Sequence, residues 1–324
     1  MILWLIRRIA QAVLVVFAMS VVVFMGMHMI GSPADMLLAP DATQADRAQL
    51  IAELGLDRPL LEQYWRFLVS ALHGDLGRSF VYNVPAVTLI LQRLPATLEL
   101  AFSALFLAIL FGVPLGLYAG LRPDSWLGRG ITTGSILGFS LPSFWVGLLL
   151  IMTFSVSLHW LPASGRGETV RVFGVNWSFL TLDGLRHMIL PAINLALFKI
   201  SLVIRLTRAG VREVMPLDYV RFARAKGLRP GRIVVMHILR NIMIPLVTVL
   251  GIELGSTIAF AVVTESIFSW PGAGKLILDS INALDRPVVV AYLLVVVTLF
   301  VLINLVVDIL YRFLDPRVRV EAAA

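Results

Sequence analysis

The sequence predicts an all-α, polytopic membrane protein with six transmembrane helices. Three observations carry that prediction. Hydrophobic residues make up 59% of the 324 positions and charged residues only 15%. The apolar residues gather in uninterrupted runs, and the basic residues concentrate in alternate segments between them. A soluble domain carries roughly 45–50% apolar and about 25% charged residues, so no soluble core needs this composition. Disorder is excluded by the same figures, and a disulfide scaffold by the absence of cysteine.

A helix crosses the hydrocarbon core with roughly 20 predominantly apolar residues. Six segments supply them: Ile9–Ile30, Thr97–Ala119, Ile131–Leu158, His187–Leu206, Ile242–Val263 and Val288–Tyr311. None alternates as barrel strands do, and a backbone within lipid must satisfy its own hydrogen bonds, which makes each run a helix. The first run follows Arg7 and Arg8. It is too long for a signal-peptide core and no A-x-A site follows it, so it reads as an uncleaved span with a cytoplasmic amino end. The third run contains Gly134, Gly138 and Pro142, which predicts one kinked or tilted span. Glycines at 112, 116 and 120, and at 134 and 138, recur every four residues and predict close helix contacts.

This orientation puts 16 Lys+Arg against 5 Asp+Glu in the inner segments, and 10 against 12 in the outer ones. The positive-inside rule is satisfied. The net charge of +7 therefore reports orientation in a bilayer, and nucleic acid is not an expected partner, since no nucleic-acid-binding motif accompanies it. The expected organisation is residues 1–30 as amino end and first span, 31–96 as an outer segment, 97–311 as a core of five spans, and 312–324 as a cytoplasmic tail. The outer segment shows helical spacing over Ala42–Leu54 and Leu60–Leu72, broken at Asp57-Arg58-Pro59. It reads equally as a docking platform and as a solvated connector.

The inner segment 207–241 is too polar to span yet is not loop-like. Pro216 suits a first helical turn, Asp218 the positive helix end, and Arg224 and Lys226 the negative end. Gly227 suits a left-handed cap, with Pro230 preventing continuation. The expected element is a helix over Pro216–Lys226, then an amphipathic run, Gly231–Arg240, feeding the fifth span. Tyr219, Phe222, Ala223 and Lys226 fall near one face, with Val220, Arg221 and Arg224 around it. Such a helix suits a groove in a partner protein, and equally an acidic lipid surface.

The run Asp218-Tyr219-Val220-Arg221-Phe222-Ala223-Arg224-Ala225-Lys226-Gly227-Leu228, followed by His237-Ile238-Leu239-Arg240-Asn241 and Pro245, resembles the ATPase-coupling segment of ABC-importer permeases. The resemblance is to the B-type permease subunit of dipeptide, oligopeptide and nickel importers, and it covers nearly the whole chain. Leu54–Leu60, Gly74-Asp75-Leu76-Gly77, Leu94-Pro95-Ala96-Thr97-Leu98-Glu99-Leu100, Pro142-Ser143-Phe144-Trp145 and Trp160-Leu161-Pro162 carry it. So do Glu265-Ser266-Ile267-Phe268-Ser269-Trp270-Pro271-Gly272 and Asp315-Pro316-Arg317. Three places depart from the pattern. Arg221-Phe222-Ala223 stands for the general Glu-Ala-Ala, Gly31–Asp35 for Pro-Gly-Asp-Pro, and Glu253 for a common glutamine.

The resemblance implies a type I ABC-importer permease fold and an expected peptide cargo, with nickel, glutathione or haem as alternatives. It implies a homologous second permease, two ATPase subunits and an extracytoplasmic binding protein as partners, in the bacterial cytoplasmic membrane. ATP and magnesium are expected in the ATPases, with no cofactor, metal or catalytic residue in this chain. Asp218, Tyr219, Arg221, Phe222, Ala223, Arg224, Ala225, Lys226 and Gly227 would form the coupling element. An ion-driven carrier is the rival from another class, opposed by the lack of an evident inverted repeat with paired broken helices.

No enzyme signature survives scrutiny. Gly272-Ala273-Gly274-Lys275 suggests a phosphate loop, but Ser269 and Leu276 occupy positions where that motif needs Gly and Ser/Thr. The histidines are scattered without metal-ligand spacing. Charges inside spans are costly, hence candidates by default. Asp308 is expected to pair with Arg312, Glu99 to anchor at the interface, and Lys199 to snorkel. Glu253, between Gly251 and Gly255, is expected to line a translocation path with Ser140 and Asn194.

Overall fold

The computed structural model describes residues 2–29, 43–53 and 57–314. Gly31–Asp35, Leu54–Leu56 and Asp315-Pro316-Arg317 lie outside the described residues, as does the Arg312 side chain expected to meet Asp308. By packing, the chain divides into one unit of residues 1–92 and 276–301, and another of 93–275 and 302–324.

In the first unit, α1 (Ile2–Met29) is apolar over nearly its whole length. α2 (Gln44–Glu53) opens with a reciprocal cap: the Thr43 hydroxyl accepts from the Asp46 amide at 3.2 Å, and the Asp46 carboxylate accepts from the Thr43 amide at 2.9 Å. α3 (Leu60–Leu72) follows Pro59, as the sequence break predicts. Its Tyr64 hydroxyl lies 2.8 Å from Ser20 of α1, and its Tyr64 and Phe67 rings pack on Phe24. The glycines of Gly74-Asp75-Leu76-Gly77 hold φ of +78° and +89°, a conformation L side chains disfavour. Asp285 is buried beyond this turn and accepts from the Ser79 hydroxyl and the Phe80 amide.

The second unit carries most of the long helices. α4 (Ala86–Leu121), whose first turns belong to the other unit, begins eleven residues before the expected span. Its glycine stripe does what the spacing predicts. A Cβ on Gly112, Gly116 or Gly120 would sit 2.7, 2.6 or 2.7 Å from Val203, Thr207 or Val211, so α4 lies directly on α7 (Leu182–Val214). Of the second pair, Gly138 faces the Ser201 hydroxyl, whereas Gly134 faces open space.

The third expected span is corrected. It is two helices, α5 (Trp126–Ser140) and α6 (Ser143–Leu150, running on as a π-helical turn to Ser157), bent by 104° at Leu141-Pro142. Proline disfavours helical geometry in the residue before it and starts a helix well, so one apolar run becomes a broken pair. The all-α expectation also missed a small antiparallel hairpin, β1 (Val170–Val172) and β2 (Val175–Trp177).

After α7 come α8 (Asp218–Ala225) and α9 (Pro230–Ile233), then a π-helical turn leading directly into α10 (Arg240–Phe260). α11 (Val262–Ile267), α12 (Ala273–Asn282) and α13 (Arg286–Leu314) complete the chain, the last two continuing between the units. Among the described residues, five helices are long and apolar enough to cross a membrane, or six if the bent pair counts as one span.

Candidate functional site

The expected coupling helix forms, with a corrected start. Pro216 lies in the turn that ends α7, Leu217 is the N-cap, and Asp218 is the first helical residue. Lys226 is the C-cap and Gly227 takes φ +74°, the left-handed cap expected of it. The predicted face is corrected too. Ala223 is buried together with Val220, packed among Val211, Val214, Ile233, Ile238 and Ile242. Burying one such side chain contributes roughly 1.5–3 kcal/mol. This seam ties α8 to the foot of α7 and the approach to α10. Phe222 is 61% exposed and Tyr219 40%. Lys226 Nζ lies 4.6 Å above the Phe222 ring, and Arg221 and Asp218 face solvent 3.9 Å apart. Arg224 donates to Met215 Sδ at 3.2 Å, while Ala225 is exposed in the last turn.

The intramembrane charges assemble differently from expectation. Lys199 does not snorkel: its side chain is 8% exposed and Nζ is 2.8 Å from Glu253 Oε2. The pair lines a cavity of about 230 Å³ with Asn194, Ser143, Ser256 and Phe198 among its walls. Asn194 Nδ2 donates to the Thr264 hydroxyl at 2.9 Å, whereas its Oδ1 is buried and accepts no hydrogen bond among the described residues. Ser140 is not in this lining; it is exposed, and its hydroxyl donates to Ile136 O of its own helix. Ser143, across the bend, takes that place.

Glu99, expected to anchor at the interface, is held within the protein. Its side chain is fully buried, 2.8 Å from Arg166, and accepts from the Ser178 amide at 2.5 Å and hydroxyl at 2.8 Å. Glu265 is equally buried and accepts from the Thr97 hydroxyl at 2.6 Å and the Lys275 amide at 2.8 Å. A Cβ on Gly272 would strike its carboxylate. The glycines that suggested a phosphate loop therefore make room for an acid of the same chain. Burial pushes the Glu265 carboxyl above its ordinary value, with the Thr97 hydroxyl and the Gly274 and Lys275 amides opposing.

Residues 112–320 match the family described as the binding-protein-dependent transport system inner membrane component, and residues 1–101 match its N-terminal region. The chain belongs to this family. It is the permease subunit of an ABC importer, a multi-pass inner-membrane protein, and the chemistry of such importers lies in other subunits.

The permease is 40% identical over 327 residues to the di/tripeptide transport permease DppB of Pseudomonas aeruginosa, covering 97% of each chain. It is 38% identical to the oligopeptide permease AppB of Bacillus subtilis, covering 97% of this chain and 98% of the other. It is 37% identical to the glutathione permease GsiC of Escherichia coli, covering 98% of each. The fold is shared with a chain of the inward-facing MetNI methionine ABC transporter, at a TM-score of 0.55 and 17% identity over 70% of this chain and 96% of that one.

Three features of the permease escaped sequence reasoning. The Lys199–Glu253 and Glu99–Arg166 pairs join residues 54 and 67 positions apart, and no local pattern links them. The Thr97–Glu265 bond joins two of the quoted motifs, and their shared polar residues inside apolar text were its only signal.

Proposed function

We propose that this permease carries peptides across the bacterial cytoplasmic membrane, with both termini cytoplasmic, and that α8 is its mechanical link to ATP hydrolysis. In this reading the chain and a homologous second permease form the path. Each permease presents its short helix to one of two ATPase subunits, which hold ATP and magnesium, and an extracytoplasmic binding protein delivers the cargo. ATP-driven closure of the ATPases moves both helices and switches access to the path.

The two-faced geometry of α8 carries the reading. Val220 and Ala223 fasten the helix to its own bundle, while the aromatic Phe222 and Tyr219 stand outward beside basic residues. An exposed aromatic edge with basic flanks on a short helix suits a groove in a partner protein. The basic excess of the segment around it supports a cytoplasmic setting, and the names of the relatives support a peptide cargo. The glutathione relative favours a second reading at the level of cargo, since glutathione is itself a short peptide.

The test is isolation of the tagged permease with its operon neighbours, followed by site-specific photo-crosslinking from position 222. The expected result is a complex of two permeases and two ATPases, with crosslinks from position 222 to an ATPase. Crosslinks to lipid alone would overturn the coupling role.

A further inference from the structure

The cavity beside Glu253 holds a charge arrangement that the coupling role of α8 does not use. A buried ion pair is a poor way to stabilise a bundle, because apolar residues of similar size often do as well or better, while a lone buried charge is strongly unfavourable. Lys199 and Glu253 nevertheless occupy the middles of α7 and α10, and Glu253 remains 21% exposed at its side chain. The pair opens onto space: the cavity measures about 230 Å³, and Phe260, which also lines it, is 78% exposed.

Two further features point into the same space. Asn194 is only 3% exposed and its Oδ1 lacks a donor among the described residues, so an acceptor awaits an N–H. Ser143 is the first residue of α6, which starts at the 104° bend with no side-chain cap on its amino end. An uncapped helix amino end carries a positive field that favours anions, and the end of a broken helix beside a cavity is a recurrent device for anionic groups within membranes.

We propose that this cavity is a transit subsite for a zwitterionic dipeptide, held by exchange against the Lys199–Glu253 pair. The ligand's carboxylate lies against Lys199 and the amino end of α6, its ammonium takes the place of Lys199 on Glu253, and Asn194 Oδ1 accepts the peptide N–H. A ligand with one charge would leave its counterpart buried and unpaired. One with both leaves neither unpaired, and on departure the protein pair closes again. The cavity falls below the roughly 300–1,000 Å³ of drug-sized sites, which suits a dipeptide better than a long peptide. The inference rests on the peptide-import reading above and deepens it.

The experiment uses the assembled importer in liposomes with its binding protein and ATP, following radiolabelled Ala-Ala. The double variant Lys199→Met/Glu253→Met removes both charges together. It is expected to assemble and to lose at least tenfold in uptake rate, whereas wild-type uptake in that variant overturns the proposal and marks the pair as structural. Should the variant not assemble, equilibrium binding to the wild-type assembly without binding protein decides. Unlabelled Gly-Gly should displace labelled Ala-Ala, and N-acetyl-Ala-Ala and Ala-Ala amide should be at least tenfold weaker. Equal displacement by the blocked forms, or no saturable binding, overturns it. Failure of the wild-type assembly to take up any peptide would instead strike the import reading itself.

Discussion

Thr97 and Glu265, 168 residues apart, are joined by a 2.6 Å hydrogen bond in which the hydroxyl donates to a buried carboxylate. The same hydroxyl accepts from the Ala273 amide at 2.9 Å, and Trp270 Nε1 donates to the neighbouring Ala96 carbonyl at 2.9 Å. The start of the apolar part of α4 is thereby locked to the segment that follows α10. Thr97→Val keeps the volume and loses both bonds, leaving a buried amide without an acceptor. It should cost about 1–3 kcal/mol, read as a lower unfolding midpoint in detergent, and Thr97→Ser should restore most of it.

The raised carboxyl of Glu265 makes part of the stability depend on pH. Its folded value lies above the ordinary 4.5 because burial disfavours the charge. The native chain therefore binds this proton more tightly than the unfolded one. Its contribution is complete below 4.5 and is lost as pH rises through the folded value. Unfolding midpoints measured from pH 4.5 upward should fall more steeply in the wild type than in Glu265→Gln, which has no proton to release. Identical slopes would refute the assignment.

The two faces of α8 should separate by mutation. Ala223→Leu crowds a filled seam, and overpacking of this kind costs about 1–3 kcal/mol; thermal stability of the isolated chain should fall. Phe222→Ala removes an exposed ring and should leave that stability within about 0.5 kcal/mol, as surface changes do. Recovery of the ATPases with the permease should drop sharply in the Phe222 variant alone. Equal recovery in both variants and wild type would show that this face binds nothing.

Gly227 is constrained by backbone conformation, since a Cβ there would meet nothing within 4 Å. At φ +74° a β-branched residue is strained by about 1–2 kcal/mol, while asparagine tolerates the left-handed region. Gly227→Val should therefore impair uptake and Gly227→Asn should largely preserve it. Equal impairment by both would mean that the side chain itself is excluded by a partner.

Packing of α4 on α7 offers the fifth contrast. A Cβ on Gly116 would stand 2.6 Å from Thr207 Cβ and 2.8 Å from Ile204 O, so Gly116→Val forces the helices apart and should prevent assembly or lower the midpoint markedly. Gly134→Ala, which meets nothing within 4 Å, should be silent or slightly stabilising, as alanine gains over glycine by about 1 kcal/mol in a helix.

These contrasts also mark what sequence can and cannot say. Apolar run length reveals the existence of spans directly, because lipid imposes one minimum on every crossing. It sets ends poorly. Gln92 and Arg93 end the apolar run before Thr97, yet α4 reaches back to Ala86 through a first turn in which Ala86, Leu89 and Ile90 are buried. Pro142 announces a disturbance in the third run, but a 104° turn depends on what the two arms pack against. The Val170–Trp177 hairpin was legible in its alternation around Phe173-Gly174, both at positive φ, and was obscured by the surrounding helical text. In α8 the carboxyl end followed from Gly227 and Pro230, whereas the start, expected at Pro216, falls at Asp218, and the burial of Ala223 depends on α7 and α10. The Lys199–Glu253 pair had no sequence signature, since each charge reads alone as an oddity within its own helix.

Val214, packed against α8, and Lys199, at the cavity, belong to one uninterrupted helix. Fifteen residues at 1.5 Å each separate them by about 22 Å, and no proline or loop intervenes to absorb strain. The seam that holds α8 and the ammonium group beside the cavity are therefore carried on a single stiff strut.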